Sequence, residues 1–355
     1  MRGVGPSLIL VALWAAMVVA STFNTPNAPN VHEPKVLVQQ DDVLDKLVRL
    51  YEEKAGKEIY ASNAARLAVG REAEVNDTSS HDVGFVTFGT FGNGYKLWAK
   101  SDRGKYMELL TTAAHSLAKR YNPVVGMTRS WGDIDDNTSF EVIIDNLLNL
   151  ELLFWVGYET MNYTLLEMAI SHVDKTAEYW LRSDFSTYHL VVFNPNNGSV
   201  ISRSGTPQGM AVNSTWARGQ AWGVYGFTMA YRYVQEPRFL EYARQVSEYW
   251  LAANNADLVP NWDFNAPLPT YRDTSSAAIV ASGFIELATY TQNPVYRELA
   301  QGIVATLASD AYLAPENYQA ILQRNGHDCV LAGCTVIETD YYFLEAIRRL
   351  KGADF

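Results

Sequence analysis

The sequence NSTWARGQAWGVYGF, at positions 213–227, combines aromatic, cationic and amide side chains in one short segment. Trp216 and Trp222 offer flat apolar faces, and Arg218 carries a planar fork of donors that fits a carboxylate. At about 100° per residue, a helix places Arg218 and Trp222 on one face. Trp216 then lies about 40° from Gln220. The segment therefore predicts the first turns of a helix that opens into a pocket for a sugar acid; the alternative is a half-buried helix with aromatic core residues.

Helical periodicity continues on both sides of this segment. One exception is 186–192, STYHLVV, which alternates and contains β-branched residues, so we expect a short strand pair with Val200–Ile201. The predicted helices are Asp41–Ala55, Lys105–Lys119, Phe140–Tyr158, Leu165–Leu181, Thr215–Tyr233, Pro237–Ala253, Ser275–Thr291, Pro294–Ser309 and Asp340–Arg349.

Several of these helices begin next to residues that favour the N-cap position. Asn213, Ser214 and Thr215 precede the WARGQAW segment, and their side chains are good caps. Asp340 is expected to cap the helix that starts with YYFLEA. Arg272 and Asp273 predict a helix cap together with a surface ion pair.

Helices dominate the sequence, and no alternation of strand, helix and strand is present. Pairs of helices of about 15–18 residues with short breaks are typical of antiparallel helical hairpins packed side by side. No repeat occurs at a fixed period, which disfavours a regular α-solenoid. No linker divides residues 21–355, so we predict a single all-α domain. A toroid of six hairpins, (α/α)6, needs about 28 residues for each helix and its loop, which this length supplies.

Composition limits the choice of partner. The chain has 355 residues, 48% of them hydrophobic, with a formal net charge of −11 and a pI near 5.1. This suffices for a large core. The negative net charge argues against nucleic acid as a partner, because binding requires cationic groups that neutralise phosphates. A small anionic sugar remains compatible, since one local arginine binds one carboxylate.

Residues 1–20 have the pattern of a secretory signal peptide, with Arg2 ahead of the apolar run Leu8–Ala20. The run is short for a membrane span, although a membrane anchor is the alternative. No later segment is apolar enough to cross a bilayer, so we expect a secreted protein with no membrane partner after signal removal. N-linked glycans are expected as well, except at Asn213, where a glycan would obstruct the predicted pocket. The five sequons begin at Asn76, Asn137, Asn162, Asn197 and Asn213.

Cysteine usage and known motifs exclude several chemistries. The two cysteines, Cys329 and Cys334, either close a small loop in an oxidising compartment or stay as free buried thiols. A CxxxxC spacing without a neighbouring histidine pair is no metal site. GxSxG, HExxH, P-loop and dinucleotide-binding motifs are absent from the sequence.

Two aspartates are candidate catalytic groups. Asp145 interrupts the apolar segment IIDNLLNLELLFW, where a carboxylate costs several kcal/mol unless it is partnered or protonated. Burial raises the pKa of a carboxyl, as a general acid working near neutral pH requires. The alternative is a structural carboxylate that caps a neighbouring loop. Asp82 follows His81 just before a turn, and a turn-capping aspartate is the commoner explanation there.

Other candidates lie in loops or at strand ends. His189 and Gln208 precede the WARGQAW helix, and Trp131 precedes the Asp145 segment. His189 is able to hydrogen-bond a substrate hydroxyl or carboxylate, although a histidine beside a strand is more often structural. Trp131 is either a sugar platform or a core residue.

Eight segments form an ordered set: HDVGF (81–85), FGNGYKL (91–97), TRSW (128–131), IIDNLLNLELLFW (143–155), STYHLVVFN (186–194), STWARGQAWGVYGF (214–227), RDTSSAAIVASGFIEL (272–287) and DYYFLEA (340–346). Each is moderately specific alone. Together they resemble the unsaturated glucuronyl hydrolases, glycoside hydrolase family 88. The resemblance is good over roughly residues 80–290.

The resemblance implies an (α/α)6 barrel that acts on oligosaccharides carrying a Δ4,5-unsaturated uronic acid at the non-reducing end, as polysaccharide lyases leave them. It implies hydration of the C4=C5 enol ether, so the carboxylate-separation rules for retaining and inverting glycosidases do not apply. It implies no metal or organic cofactor. Asp145 matches the general acid/base and Asp82 the second important carboxylate. The matches to sugar-site residues are Trp131, His189, Gln208, Trp216, Arg218 and Trp222.

The sequence departs from the family's pattern near both ends. Family members usually carry a tryptophan in the first hairpin, whereas the first one after the leader here is Trp98. An acidic pair usual before the S-x-W-x-R-G motif is replaced by Val212–Asn213, and 318–334 fits poorly. These departures add an alternative to the complete (α/α)6 barrel, namely a barrel that is incomplete at its first hairpin. Two alternative functions follow: a secreted toroid that only binds sugar, and an unsaturated rhamnogalacturonyl hydrolase, against which His189 argues.

Overall fold

The computed structural model describes residues 58–97, 102–203, 208–254, 258–315, 320–323 and 336–352. None of the helices in these ranges is long and apolar enough to cross a membrane. Some predicted features lie outside the described residues, namely the leader 1–20, the helix Asp41–Ala55, Trp98, Cys329 and Cys334.

The described chain is mostly helical. In order, the helices are α1 (Glu58–Val69), α2 (Val83–Thr87), α3 (Asn93–Leu97), α4 (Arg103–Ala118), α5 (Asn146–Asn149), α6 (Glu151–Glu159), α7 (Tyr163–Trp180), α8 (Ala217–Val234), α9 (Pro237–Ala253), α10 (Thr274–Thr291), α11 (Pro294–Leu307) and α12 (Ile337–Leu350). The strands are β1 (Tyr121–Asn122), β2 (Met127–Thr128), β3 (Phe140–Ile143), β4 (Leu190–Phe193) and β5 (Val200–Ser202). β1 pairs with β2, and β3, β4 and β5 form a second antiparallel sheet in that order.

Burial separates two kinds of helix. Every residue of α8 from Ala217 to Ala230 is buried, and so is every residue of α10 from Thr274 to Leu287. α9 instead buries one stripe at helical spacing, which includes Phe239, Val246 and Trp250. A helix buried all round lies inside a protein, whereas an amphipathic one covers it. α8, α10 and α12 pack side by side, and α9 and α11 return along the outside as the second members of helical hairpins.

The prediction of one helix over Phe140–Tyr158 is wrong in its first part. Residues 140–143 form β3, which pairs with β4, and two short helices, α5 and α6, follow. The sequence FEVI is apolar except at Glu141 and fits a helix face as well as a strand, so only the distant partner strand decides between them. Asp145 therefore does not interrupt a helix. It is the N-cap residue of α5, two residues after the strand ends.

Glycine allows α2 to approach α5 closely. A Cβ atom at Gly84 would lie 2.6 Å from the backbone oxygen of Asn149, and nothing larger than hydrogen fits there. The side-chain oxygen of Asn149 accepts a hydrogen bond from the backbone N–H of Phe85 at 2.7 Å. This contact joins the segments that begin just after Asp82 and just after Asp145.

The helix starts differ from the predicted caps. Asp273 is the N-cap of α10 as predicted and accepts two backbone N–H bonds from its first turn. It is 1% exposed, so the predicted surface pair with Arg272 is wrong. Asp340 is not an N-cap, because α12 begins three residues earlier. Its buried carboxylate accepts hydrogen bonds from the backbone N–H groups of Ile321 and Leu322.

The start of α8 is held by a neighbouring chain segment rather than by a side-chain cap. Its N-cap residue is Trp216, which makes no side-chain cap bond. The hydroxyl of Ser214 donates to the carboxylate of Asp263 at 2.6 Å, and the backbone oxygen of Thr215 accepts from the N–H of Phe264. The prediction that Asn213, Ser214 or Thr215 caps this helix is therefore wrong. Extended pairing with 262–264 replaces capping.

Candidate active site

Asp145 lies where the sheet meets the helices. The β3–β4 register pairs Ile143 with Leu190, and the N–H of Ile144 donates to the carbonyl of His189 at 3.0 Å. The pairing therefore brings Asp145 beside His189. The Asp145 side chain is 16% exposed, and its buried Oδ1 atom has no hydrogen-bond partner among the described residues.

Burial dominates the protonation of Asp145. It raises the pKa of this carboxyl to about 7, against the opposing charge of Arg218. The negative charges of Asp82 and Glu338 add to the rise. The site thus holds a carboxyl that exchanges its proton near neutral pH, which suits a group that must both donate and accept a proton.

His189 faces Asp145 as a neutral imidazole. Its Nε2 atom lies 3.9 Å from Oδ1 of Asp145. Burial, followed by the charge of Arg218, lowers the pKa of His189 to about 3. Its ring packs on Trp216 at a centroid distance of 4.7 Å, and its carbonyl accepts from the indole N–H of Trp180 at 3.1 Å. The histidine is fixed in place and is able to hydrogen-bond without carrying charge.

Arg218 supplies positive charge next to the two groups. Only 7% of the residue is exposed, and its guanidinium lies 4.8 Å from the ring of Trp216. One N–H donates to the hydroxyl of Ser275 at 3.1 Å. Among the described residues, Arg218 makes no ion pair with a carboxylate within 4.0 Å, in contrast to the buried Arg232, which pairs with Glu286. The planar donor fork is therefore available to an anionic ligand.

Asp82 is the exposed carboxylate of the site. Its side chain is 55% exposed, and its Oδ1 atom lies 3.4 Å from Nε2 of the buried His81. The hydroxyl of Ser80 donates to its other oxygen at 3.0 Å. His81 is held by the carbonyl of Ser130, which accepts its backbone N–H at 3.0 Å. Asp82 is also the residue before α2, but its side chain makes no cap hydrogen bond to that helix among the described residues. Its charge does act on Asp145, whose pKa it raises.

The predicted aromatic residues occupy different environments. Trp131 is half-buried in a loop, with its ring 6.4 Å from that of His81 in an edge-on contact. The ring of Trp216 contacts both His189 and Arg218. Trp222 is 1% exposed, and its ring packs against Tyr342 at 5.5 Å. Trp222 therefore supports the wall of the site from the core.

Two glutamine side chains make no hydrogen bond to the charged groups of the site within the described part of the chain. Gln220 is fully buried and bonds the backbone N–H of Thr187 and the carbonyls of Phe185 and Val246, so its amide belongs to the scaffold. Gln208 is half-buried in the loop ahead of α8. No hydrogen bond between described residues joins Gln208 to Asp145 or Arg218.

Sequence reasoning missed two neighbours of these groups. Glu338, in the first turn of α12, contributes to the raised pKa of Asp145. Ser275 accepts from Arg218. A glutamate and a serine near helix starts are common, so nothing local in the sequence singles them out. Within the described ranges, no group of three or more His, Cys, Asp or Glu side chains could hold a metal ion.

Known proteins are similar to this chain over most of its length. An unsaturated glucuronyl hydrolase of Formosa agariphila is 37% identical over 309 residues, which covers 84% of this chain and 76% of that protein. One from Bacillus sp. strain GL1 is 33% identical over 314 residues, covering 84% and 82%. A crystal structure of an unsaturated glucuronyl hydrolase specific for heparin has a TM-score of 0.79 and 30% identity, covering 97% of this chain and 96% of that one. No protein-family model matches the chain.

The fold and these relatives together define a glycosidase built on a helical toroid. The chain belongs to the unsaturated glucuronyl hydrolase family. This confirms the family and the all-α toroid predicted from the ordered segments. The residue roles implied by the resemblance stay predictions.

Proposed function

We propose that the protein releases a Δ4,5-unsaturated uronic acid from the non-reducing end of lyase-generated oligosaccharides, with Asp145 as both acid and base. The observation that supports this best is the half-buried Asp145 carboxyl. Its Oδ1 has no hydrogen-bond partner in the described part of the chain, and burial raises its pKa to about 7. Near neutral pH it is populated in both protonation states, so one residue can complete a catalytic cycle.

The first half of the reaction uses the protonated form. Asp145 donates its proton to C4 of the C4=C5 double bond, and the π electrons form the new C4–H bond. Positive charge develops at C5 and is shared with the ring oxygen. The neutral His189, 3.9 Å from Asp145, adds no competing positive charge at this point.

The second half uses the carboxylate. Asp145 takes a proton from water, the water oxygen bonds to C5, and the acid is regenerated. The hemiketal then opens as the bond from C5 to the ring oxygen breaks. The former ring oxygen remains on C1, which becomes a hemiacetal, and its collapse to an aldehyde releases the rest of the oligosaccharide. One water molecule is consumed overall.

Arg218 and Asp82 have complementary roles in this proposal. The substrate carries its carboxylate on C5, and the Arg218 fork, which has no carboxylate partner among the described residues, suits that group. Asp82 keeps the proton on Asp145, because its negative charge raises the pKa of Asp145. Trp131, Trp216 and His189 provide faces and a hydrogen-bonding edge for the sugar, with Trp222 behind them.

Relatives named for heparin and for glucuronyl substrates support acidic, glycosaminoglycan-type fragments as the substrate class. The test is to mix purified protein with unsaturated disaccharides from several lyases and to follow the loss of the absorbance of the double bond. We expect turnover of at least one uronate disaccharide and none of its saturated counterpart, which offers no double bond to protonate. A toroid that only binds sugar would leave the absorbance unchanged, and preference for a rhamnogalacturonan fragment would favour the second alternative.

Export and glycosylation are further parts of this proposal. The sequon residues Asn76, Asn137 and Asn197 are exposed, as glycan addition requires, whereas Asn162 uses its side-chain oxygen as the N-cap of α7. Intact-mass measurement of secreted protein before and after deglycosylation tests both points. A mature protein that begins at Met1 and has no glycan mass would contradict them.

A further inference from the structure

The Arg218 side chain has one hydrogen-bond partner among the described residues. A guanidinium has five N–H donors, and among the described residues only the hydroxyl of Ser275 accepts from it, at 3.1 Å. The central carbon of the guanidinium lies 4.8 Å from the ring centroid of Trp216, a contact that does not by itself fix the direction of the N–H donors. The contact with Ser275 therefore decides which way the remaining donors face.

Ser275 is itself fixed by Asp273. The Ser275 hydroxyl donates to Oδ1 of Asp273, and the same oxygen accepts the backbone N–H of Ser275 at 2.9 Å and of Ser276 at 3.2 Å. Donation to Asp273 points the oxygen lone pairs of Ser275 away from that carboxylate and toward Arg218. Asp273 and Ser275 are 1% and 0% exposed, so water does not compete for these bonds.

We infer that Asp273 and Ser275 are positioning residues, which aim Arg218 at the carboxylate of the substrate and hold its charge near Asp145. The inference deepens the proposed function and rests on it for the identity of the anion. A chain from carboxylate to hydroxyl to guanidinium fixes the donor fork before the ligand arrives, which lowers the ordering cost of binding. Residues at the start of α10 thereby orient an arginine of α8 toward the reacting sugar.

Two serines in one turn provide a matched pair of variants. Ser276 is also 0% exposed, but its hydroxyl accepts from the indole of Trp250 and donates to the carbonyl of Ala217. Ser275→Ala removes the partner of the Arg218 side chain, whereas Ser276→Ala removes an equally buried hydroxyl that does not touch that side chain. Both variants are compared after correction for the folded fraction, so loss of stability alone does not mimic the effect.

The decisive measurement is a double-mutant cycle on kcat/KM. We expect Ser275→Ala to lower kcat/KM about 10-fold, the scale of one hydrogen bond from a charged donor, and Ser276→Ala to leave it near the wild-type value. In an Arg218→Lys background, Ser275→Ala should cost no more than about 2-fold, because residues that act through one another are not additive. Equal losses from Ser275→Ala in both backgrounds, or equal losses from both serine variants, would overturn the inference.

The pH profile adds a readout that a purely structural role would not move. Asp145 is faced by Arg218 from α8, His189 from the start of β4, Asp82 from the start of α2 and Glu338 from α12. Of these, Arg218 is the group whose charge lowers the pKa of Asp145. If Ser275→Ala lets Arg218 turn away, the alkaline limb of kcat/KM should move to higher pH, and it should not move in Ser276→Ala. An unmoved limb in Ser275→Ala would count against the inference.

A ligand-free measurement separates this inference from the proposed function. In protein with ¹⁵N-labelled arginine, the Nη1–H of Arg218, which donates to Ser275, is the signal lost in Arg218→Lys. We expect its exchange with solvent to accelerate in Ser275→Ala and in Asp273→Asn, which keeps an acceptor for the cap but removes the charge, and to stay unchanged in Ser276→Ala. Unchanged exchange in Ser275→Ala would overturn the positioning role. Absence of turnover on every unsaturated disaccharide would overturn the proposed function alone.

Discussion

Replacing Asp145 with asparagine should abolish turnover and make the folded protein more stable. The asparagine amide has nearly the size of the carboxyl but carries no charge and cannot cycle a proton. In the wild type, burial raises the pKa of Asp145 from 3.8 to about 7, so the folded state disfavours the charged form. The variant removes that penalty together with the acid.

The size of the effect follows from linkage. The folded protein binds the Asp145 proton more tightly than the unfolded chain does, so stability falls as pH rises between 3.8 and about 7. The difference between the two pKa values corresponds to as much as about 4 kcal/mol at higher pH. With about 2.1 cal/mol/K of unfolding entropy per residue, a chain of 355 residues shifts its Tm by about 5 °C for that free energy.

The assay is thermal unfolding of Asp145→Asn and wild type at a pH well above 7 and again near pH 4. We expect the variant to melt several degrees higher at the alkaline pH, and the two curves to approach each other near pH 4, where Asp145 is protonated. Asp310→Asn is the control, because Asp310 is exposed. An unchanged or lower Tm for Asp145→Asn at alkaline pH would refute a buried, destabilising carboxylate.

Three other substitutions test separate features of the site and fold. Asp82→Asn should move the alkaline limb of kcat/KM to lower pH, because the Asp82 charge raises the pKa of Asp145; a limb that stays in place would show that Asp82 acts otherwise. Arg218→Lys keeps the charge but loses the donor fork, so kcat/KM should fall roughly 10- to 150-fold with little change in Tm; a lower Tm with unchanged kcat/KM of the folded fraction would leave Arg218 a structural role only. Gly84→Ala should destabilise by about 1–3 kcal/mol in denaturant unfolding, since its Cβ would lie 2.6 Å from the Asn149 oxygen, whereas Gly104→Ala, with nothing within 4 Å, should be close to neutral.

The helical hairpins were predictable because their patterns are local. α9 begins and ends where the sequence predicts, since Pro237 occupies the first turn and apolar residues keep one face. Residues 140–143 were mispredicted because the same apolar residues suit a helix or a strand. Their pairing with 190–193 depends on a distant segment, which periodicity does not reveal.

The site shows the same division between local and distant information. A carboxylate in the apolar run 143–155 and an arginine between two tryptophans were visible as unusual residues. That Asp145 lies beside His189 depends on the β3–β4 register. That Ser275 supports Arg218 depends on the packing of α10 against α8. In the sequence, Ser275 was only the first residue of a helix that Asp273 caps.

The central claim is that Asp145 protonates C4 of the double bond within the site. A single turnover in D₂O tests it, with excess protein, an unsaturated disaccharide that the protein turns over, and immediate borohydride reduction to stop exchange beside the new ketone. Enzymatic protonation predicts one deuteron at C4 on a single face of the sugar, and none incorporated by Asp145→Asn on the same timescale. Deuterium divided equally between the two faces would mean that the double bond rearranges in solution after cleavage at the anomeric carbon. Together with full activity of Asp145→Asn, that result would contradict the account.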